Sequence, residues 1–88
     1  MNKIYRWLVE TLFFGELAVK GYDTEPGKDG IDVFASVNSL GSALICSYSK
    51  KERKLFIPKS KPTTPEYVKT QREDVEEVAK RYMIEIIK

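Results

Sequence analysis

Apolar positions in the opening segment recur at helical spacing. Between residues 3 and 14, Ile4, Tyr5, Leu8, Val9 and Leu12 fall on one broad arc at 100° per residue, and Lys3, Arg6 and Glu10 form a narrow polar strip. Trp7, Phe13 and Phe14 sit at the margins of that arc, making it wider than one sheet surface requires. The pattern predicts a helix over 3–14 that stops at Gly15, a residue suited to the left-handed conformation at helix ends.

From residue 16 the period changes to two. Leu17 and Val19 alternate with Glu16, Ala18, Lys20 and Tyr22, which predicts a half-buried strand over 16–22. Residues 23–30 (DTEPGKDG) are dense in turn formers and read as a loop. A second strand over 31–37 points Ile31, Val33, Ala35 and Val37 one way and Asp32, Phe34 and Ser36 the other. After a break at Asn38–Ser42, a third strand spans 43–49. A tight basic turn, Lys50 to Arg53, leads to a short fourth strand over 54–57. Pro58 ends that strand because it has no N–H for the ladder. Short connections of this kind predict an antiparallel meander.

A second helix is expected after Pro62. Thr63 and Glu66 have the spacing of a capping box, and Val68, Val75, Val78, Ala79 and Tyr82 then form one apolar stripe. A second box at Thr70–Glu73 offers a later start. Residues 83–87 (MIEII) read as a continuation of the helix because no Gly, Asn or Pro intervenes, although isoleucine also favours strands. The expected architecture is α+β, one domain over 1–88. It has a four-stranded antiparallel sheet flanked by an N-terminal and a C-terminal helix, in the order α-β-β-β-β-α, with both helices contributing to the core.

A chain of 88 residues hides only about 60 to 65% of its unfolded surface, so its stability margin is thin and a partner or a second copy can share the burden. The formal charge of +2, from 15 Lys and Arg against 13 Asp and Glu, is too small to gather nucleic acid from a distance. The positive charge is local: Lys50, Lys51, Arg53, Lys54, Lys59 and Lys61 face only Glu52 in that stretch. A single cysteine, Cys46, and the absence of histidine leave no intramolecular disulfide and no ordinary zinc ligand set. A reducing, cytoplasmic setting is the expectation. Arg6 and Glu10 interrupt the first apolar run before a signal peptide would be complete, and no segment approaches the ~18 apolar residues of a membrane span.

The candidate chemistries fail on spacing. Gly27-Lys28 suggests a phosphate loop, but Tyr22 stands at the first glycine position and Asp29 replaces the Ser or Thr. Asp23, Glu25, Asp29 and Asp32 suggest a calcium loop, yet Gly27 and Ser36 fall where ligands are required. Cys46 lies in an apolar strand with no histidine to activate it and reads as a structural thiol. Glu73 and Glu77 share a helix face of mixed charge, which explains the pair without catalysis. No catalytic residue, cofactor or metal is expected, and the chain is not expected to be an enzyme.

Two surfaces survive. The first is the apolar arc of the opening helix, where Trp7 and Phe14 flank the ridge containing Leu8, with Tyr82 extending the same patch; aromatic anchors of this kind concentrate binding energy. The second is the sheet side carrying Lys20, Tyr22, Phe34, Lys54 and Phe56, bordered by Lys50, Lys51 and Arg53, where rings stack bases and lysines neutralise phosphates unless a helix covers them. The leading expectation is a non-catalytic protein-binding module, such as a small inhibitor or adaptor of a larger macromolecule, self-association included. Nucleic-acid binding through the aromatic sheet face is the alternative.

Overall fold

A computed structural model describes residues 3–38 and 41–88, and the side chains of all of these except residues 3, 37 and 38. The expected roles of Lys3 and Val37 therefore fall on side chains outside the described set. The chain forms α1 (Lys3–Val19), β1 (Asp23–Pro26), β2 (Gly30–Asn38), β3 (Gly41–Ser49), β4 (Lys54–Phe56), α2 (Glu66–Arg81) and β5 (Glu85–Ile87). The strands make one mixed sheet in the order β1-β2-β3-β4-β5, antiparallel as far as β4 and parallel between β4 and β5. The fold is α+β with two helices, as expected, but the sheet has five strands rather than four and is not wholly antiparallel.

The expected strand over 16–22 is helix instead. Phe13 and Leu17 are i and i+4 partners and both are fully buried, so helical geometry places them together in the core where strand geometry would separate them. Gly15 stays helical on the exposed side, where a Cβ would meet nothing within 4 Å, because the burial of Leu17 beyond it outweighs the cost of a helical glycine. The stop lies six residues later. Gly21, at φ 97°, donates to the Ala18 carbonyl at 3.0 Å, and Tyr22 donates to the Leu17 carbonyl at 3.0 Å, the paired bonds of a Schellman end. The Tyr22 hydroxyl then donates to Asp74 at 3.2 Å, tying this corner to α2.

Residues 23–26, expected to lie in a loop, form the edge strand β1. Of these four exposed residues only Thr24 favours a strand; the ladder with β2, Asp23 opposite Phe34 through Pro26 opposite Ile31, holds them. Pro26 is tolerated because it ends an edge strand. Strands β2 and β3 follow the expected spans closely and narrow the break expected at Asn38–Ser42, whose residues 39 and 40 lie outside the described residues. A bulge shapes β3. Val33 pairs with Cys46 and Phe34 with Leu44, leaving Ile45 as the extra residue. The bulge switches parity, so Ala43 before it, Ile45 within it and Cys46 and Tyr48 after it all turn inward.

Helix α2 begins at Glu66, two residues later than a capping box at Thr63 would start it and well before the one at Thr70, with Pro65 at the N-cap and no side-chain cap. The Thr64 hydroxyl instead accepts a bond from the Lys61 N–H at 2.8 Å. Its stripe of Val68, Val75, Val78 and Ala79 is buried as read. The helix does not continue through 83–87. Met83 adopts φ 58°, its N–H bonds the Lys80 carbonyl at 3.1 Å, and the Ile84 N–H bonds the Ala79 carbonyl at 3.0 Å, a second Schellman end built without glycine. The turn releases β5, whose Ile86 lies opposite Leu55 and packs against the core. Lys88 holds the chain end to α2 through Glu76 at 2.7 Å, and that bond keeps the Glu76 carboxyl below its ordinary range.

Met83 is 88% exposed, so its left-handed strain is offset by little burial. Met83→Gly is expected to stabilise the fold by about 1 kcal/mol, read as a thermal midpoint raised by about 5 °C. An unchanged or lower midpoint counts against this account of the turn.

Both helices pack on one side of the sheet. The buried side chains form a single cluster of Phe13 and Leu17 from α1, Val33, Ile45, Cys46, Tyr48 and Leu55 from the sheet, and the stripe of α2. Edge-to-face rings lock α1 to this layer, with Phe14 5.5 Å from Tyr48 and Phe13 6.2 Å from Tyr82.

Candidate functional site

In its first three turns, α1 turns Arg6 and Glu10 inward and Ile4, Trp7, Leu8 and Leu12 outward. Arg6, Glu10, Phe13 and Leu17 follow a 4-3-4 spacing along one stripe. Phe13 and Leu17 are fully buried there, so Arg6 and Glu10 are drawn to the same side and are half-buried. Glu10 hydrogen-bonds the Tyr48 hydroxyl. Glu16, on the flank, pairs with Arg81 and accepts a bond from the Tyr82 hydroxyl at 3.1 Å.

The opposite stripe carries Ile4, Leu8, Thr11, Gly15 and Ala18, with Trp7 on one flank and Leu12 and Val19 on the other; all are exposed. Ile4 is 71% exposed, Trp7 64%, Leu12 48% and Leu8 45%. No charged residue lies on this stripe between positions 4 and 19. The first turns of α1 overhang a groove of about 280 Å³ lined by Tyr5, Val9, Tyr48 and Met83, so they are held less closely than the second half of the helix.

The structure separates the residues that the sequence groups as one protein-binding patch. Trp7 and Leu8 stay together on the outward face of α1. Phe14 and Tyr82 are instead half-buried, packed against the core cluster. Sequence reasoning passed over Thr11, Gly15 and Ala18, which complete the outward stripe. The signal for them is the 4-3-4-3 spacing that continues past Gly15 once the helix is allowed to run on.

The aromatic sheet face is also divided. Phe34, Lys54 and Phe56 do share the outer side of the sheet, which neither helix covers. Lys20 and Tyr22 lie elsewhere, because they close α1 and both contact Asp74 of α2. On the outer side Asp23 stands opposite Phe34, Glu25 opposite Asp32, and Glu85 opposite Lys54 with an ion pair at 3.3 Å. That carboxylate excess repels phosphate. The basic turn points to another part of the molecule: Lys50 and Arg53 share a shallow hollow with Arg6, Trp7 and Glu10, and Lys51 is exposed beside them.

Cys46 is fully buried on the inner side of β3. Burial pushes its thiol up to about 12, with a smaller push from Asp32 and an opposing pull from Arg72. Burial likewise holds the Tyr22 and Tyr48 phenols above their ordinary range, aided by Asp74 and Glu10 respectively. Each group binds its proton more tightly folded than unfolded, so its contribution is complete below the unfolded value and is lost as pH rises toward the folded one. Stability is expected to hold to about pH 9 and to fall progressively above it. Circular dichroism across an alkaline series checks this, and stability flat to pH 12 would contradict it.

Among the described residues, no three His, Cys, Asp or Glu side chains form a group that could hold a metal ion, and no helix is long and apolar enough to cross a membrane. No protein-family profile, curated protein or solved structure matches this chain.

Proposed function

We propose that this chain is a non-catalytic protein-binding module, of the inhibitor or adaptor kind, that docks through the outward face of α1. The observation that carries this reading is the exposure of Ile4, Trp7, Leu8 and Leu12 side by side on a helix whose Arg6 and Glu10 face the other way. Water-facing apolar side chains cost solvation free energy, and a contiguous patch of them is the usual mark of a surface that another molecule covers. Trp7 is the natural anchor, since a large ring supplies much contact area for little loss of side-chain freedom. The basic hollow formed by Lys50, Arg53 and Arg6 beside Trp7 favours a partner with acidic residues at the rim of its contact. The unpaired Cys46 suits a reducing compartment, and we place the protein in the cytoplasm on that ground.

The test is capture of partners from lysate by the wild-type chain and by Trp7→Ser, with and without nuclease. Loss of the tryptophan is expected to weaken capture about thirtyfold, corresponding to about 2 kcal/mol, while the thermal midpoint stays unchanged. The reading fails if Trp7→Ser retains the same proteins as the wild type, or if nuclease alone abolishes capture.

A further inference from the structure

We infer that the outward face of α1 pairs with the same face of a second copy, antiparallel, about a two-fold axis near Thr11. This rests on the reading of that face as a docking surface and names its occupant. An isologous contact must be self-complementary, because one surface supplies both sides. The stripe meets that condition. Its N-terminal half is bulky, with Ile4, Trp7 and Leu8, and its C-terminal half is small, with Gly15 and Ala18.

When two such helices run antiparallel with Thr11 at the centre, Leu8 of each copy faces Gly15 of the other, and Ile4 faces Ala18. Large side chains then enter the spaces left by small ones. The 4-3-4-3 spacing of Ile4, Leu8, Thr11, Gly15 and Ala18 is the repeat that keeps a helix seam facing its partner. A Cβ at Gly15 would meet nothing within 4 Å in the single chain, so the space in front of it is open to an incoming Leu8.

Area and charge agree. The exposed apolar residues of the face and its flanks, Ile4, Trp7, Leu8, Leu12 and Val19, together present roughly 600 Å², about three-quarters of the ~800 Å² per partner of a standard stable interface. The stripe itself carries no charge, and in the antiparallel arrangement the basic hollows beside the two Trp7 residues lie at opposite ends of the seam rather than against each other. A lipid surface is the competing occupant for an apolar helix face with basic neighbours. Membrane insertion draws on apolar area and on attraction of basic residues to anionic lipid, and has no use for Thr11, Gly15 and Ala18 in register with bulky residues.

Sedimentation equilibrium over a wide concentration range, with full-length wild type, Leu8→Ala and Gly15→Leu, tests the pairing. Wild type is expected to dimerise reversibly. Leu8→Ala removes the inserted side chain and Gly15→Leu fills its space, and each is expected to weaken the dimer by more than about tenfold with helix content retained. Mixing the two variants is expected to restore dimer. The leucine introduced in one copy then meets the alanine introduced in the other, while the native pairing of Leu8 with Gly15 survives at the second site. Rescue by mixing supports the register as well as the interface.

Wild type that stays monomeric at all concentrations overturns the inference. If Trp7→Ser still loses a foreign protein partner in that case, the docking reading stands without self-pairing; if no partner is captured, both fall. A dimer indifferent to both variants also overturns the inference. So does a monomer that binds phosphatidylcholine–phosphatidylserine vesicles through Trp7.

Discussion

Replacing Phe13 with Ala is expected to destabilise the fold by about 4 kcal/mol, in the range measured for deleting a buried aromatic ring. Phe13 is fully enclosed, and its ring meets those of Phe14 at 5.0 Å and Tyr82 at 6.2 Å. It therefore joins α1 both to the sheet and to the end of α2. The loss has two parts: apolar surface no longer removed from water, and a cavity that the rigid surrounding elements do not refill. Small domains hold only about 5–15 kcal/mol in total, and a chain of this length lies near the bottom of that range. The variant should therefore be near its unfolding midpoint in plain buffer. Trp7→Ala provides the contrast, since a larger ring on the same helix is removed from an exposed site. At concentrations low enough to keep the chain dilute, its cost is expected to stay within about 0.5 kcal/mol. Urea unfolding of the two variants decides the matter, and equal costs would mean that the inward and outward faces of α1 are wrongly assigned.

Gly30→Ala is expected to cost about 3 kcal/mol, for a different reason. A Cβ at Gly30 would stand 2.0 Å from the Tyr48 carbonyl oxygen, 3.1 Å from its carbon and 3.0 Å from the Lys50 nitrogen. All three are backbone atoms at the junction of β2 with β3, where Gly30 lies opposite Ser49 and Lys50 donates to the Asp29 carbonyl at 3.1 Å. Neither strand can give way without loss of ladder bonds. Gly27→Ala makes a useful comparison, because the nearest atoms its Cβ would meet are those of the Asp32 carboxylate, at 2.8–2.9 Å, and that side chain can swing aside. A cost below about 1 kcal/mol is expected there. If the two alanine variants unfold at the same urea concentration, the strand junction is looser than described.

Several elements were legible because local pattern and tertiary packing agree on them. The stripe Val68, Val75, Val78 and Ala79 reads as a helix and is buried as one, and β2 to β4 fall close to their expected spans. The elements that were missed are those where the deciding force is not local. β1 consists of Asp, Thr, Glu and Pro, and it is a strand because β2 offers it an edge. β5 required Met83 to take a conformation usually left to glycine, which follows from the place that Leu55 offers Ile86 in the sheet. Gly15 looked like a stop and is not one, because an exposed glycine in a helix costs only about 1 kcal/mol, less than the burial of Leu17 returns.

The candidate face divides in the same way. That the first helix carries more apolar side chain than a small core can absorb follows from its composition and its 3.6-residue period. Which of those side chains are absorbed is a tertiary outcome. Phe13 and Leu17 sit where α1 crosses the sheet and reach the interior four residues apart, and once they are seated the rotation of the helix is set. Arg6 and Glu10 then turn inward and Trp7 and Leu8 turn outward, because residues on a rigid helix cannot choose their faces independently.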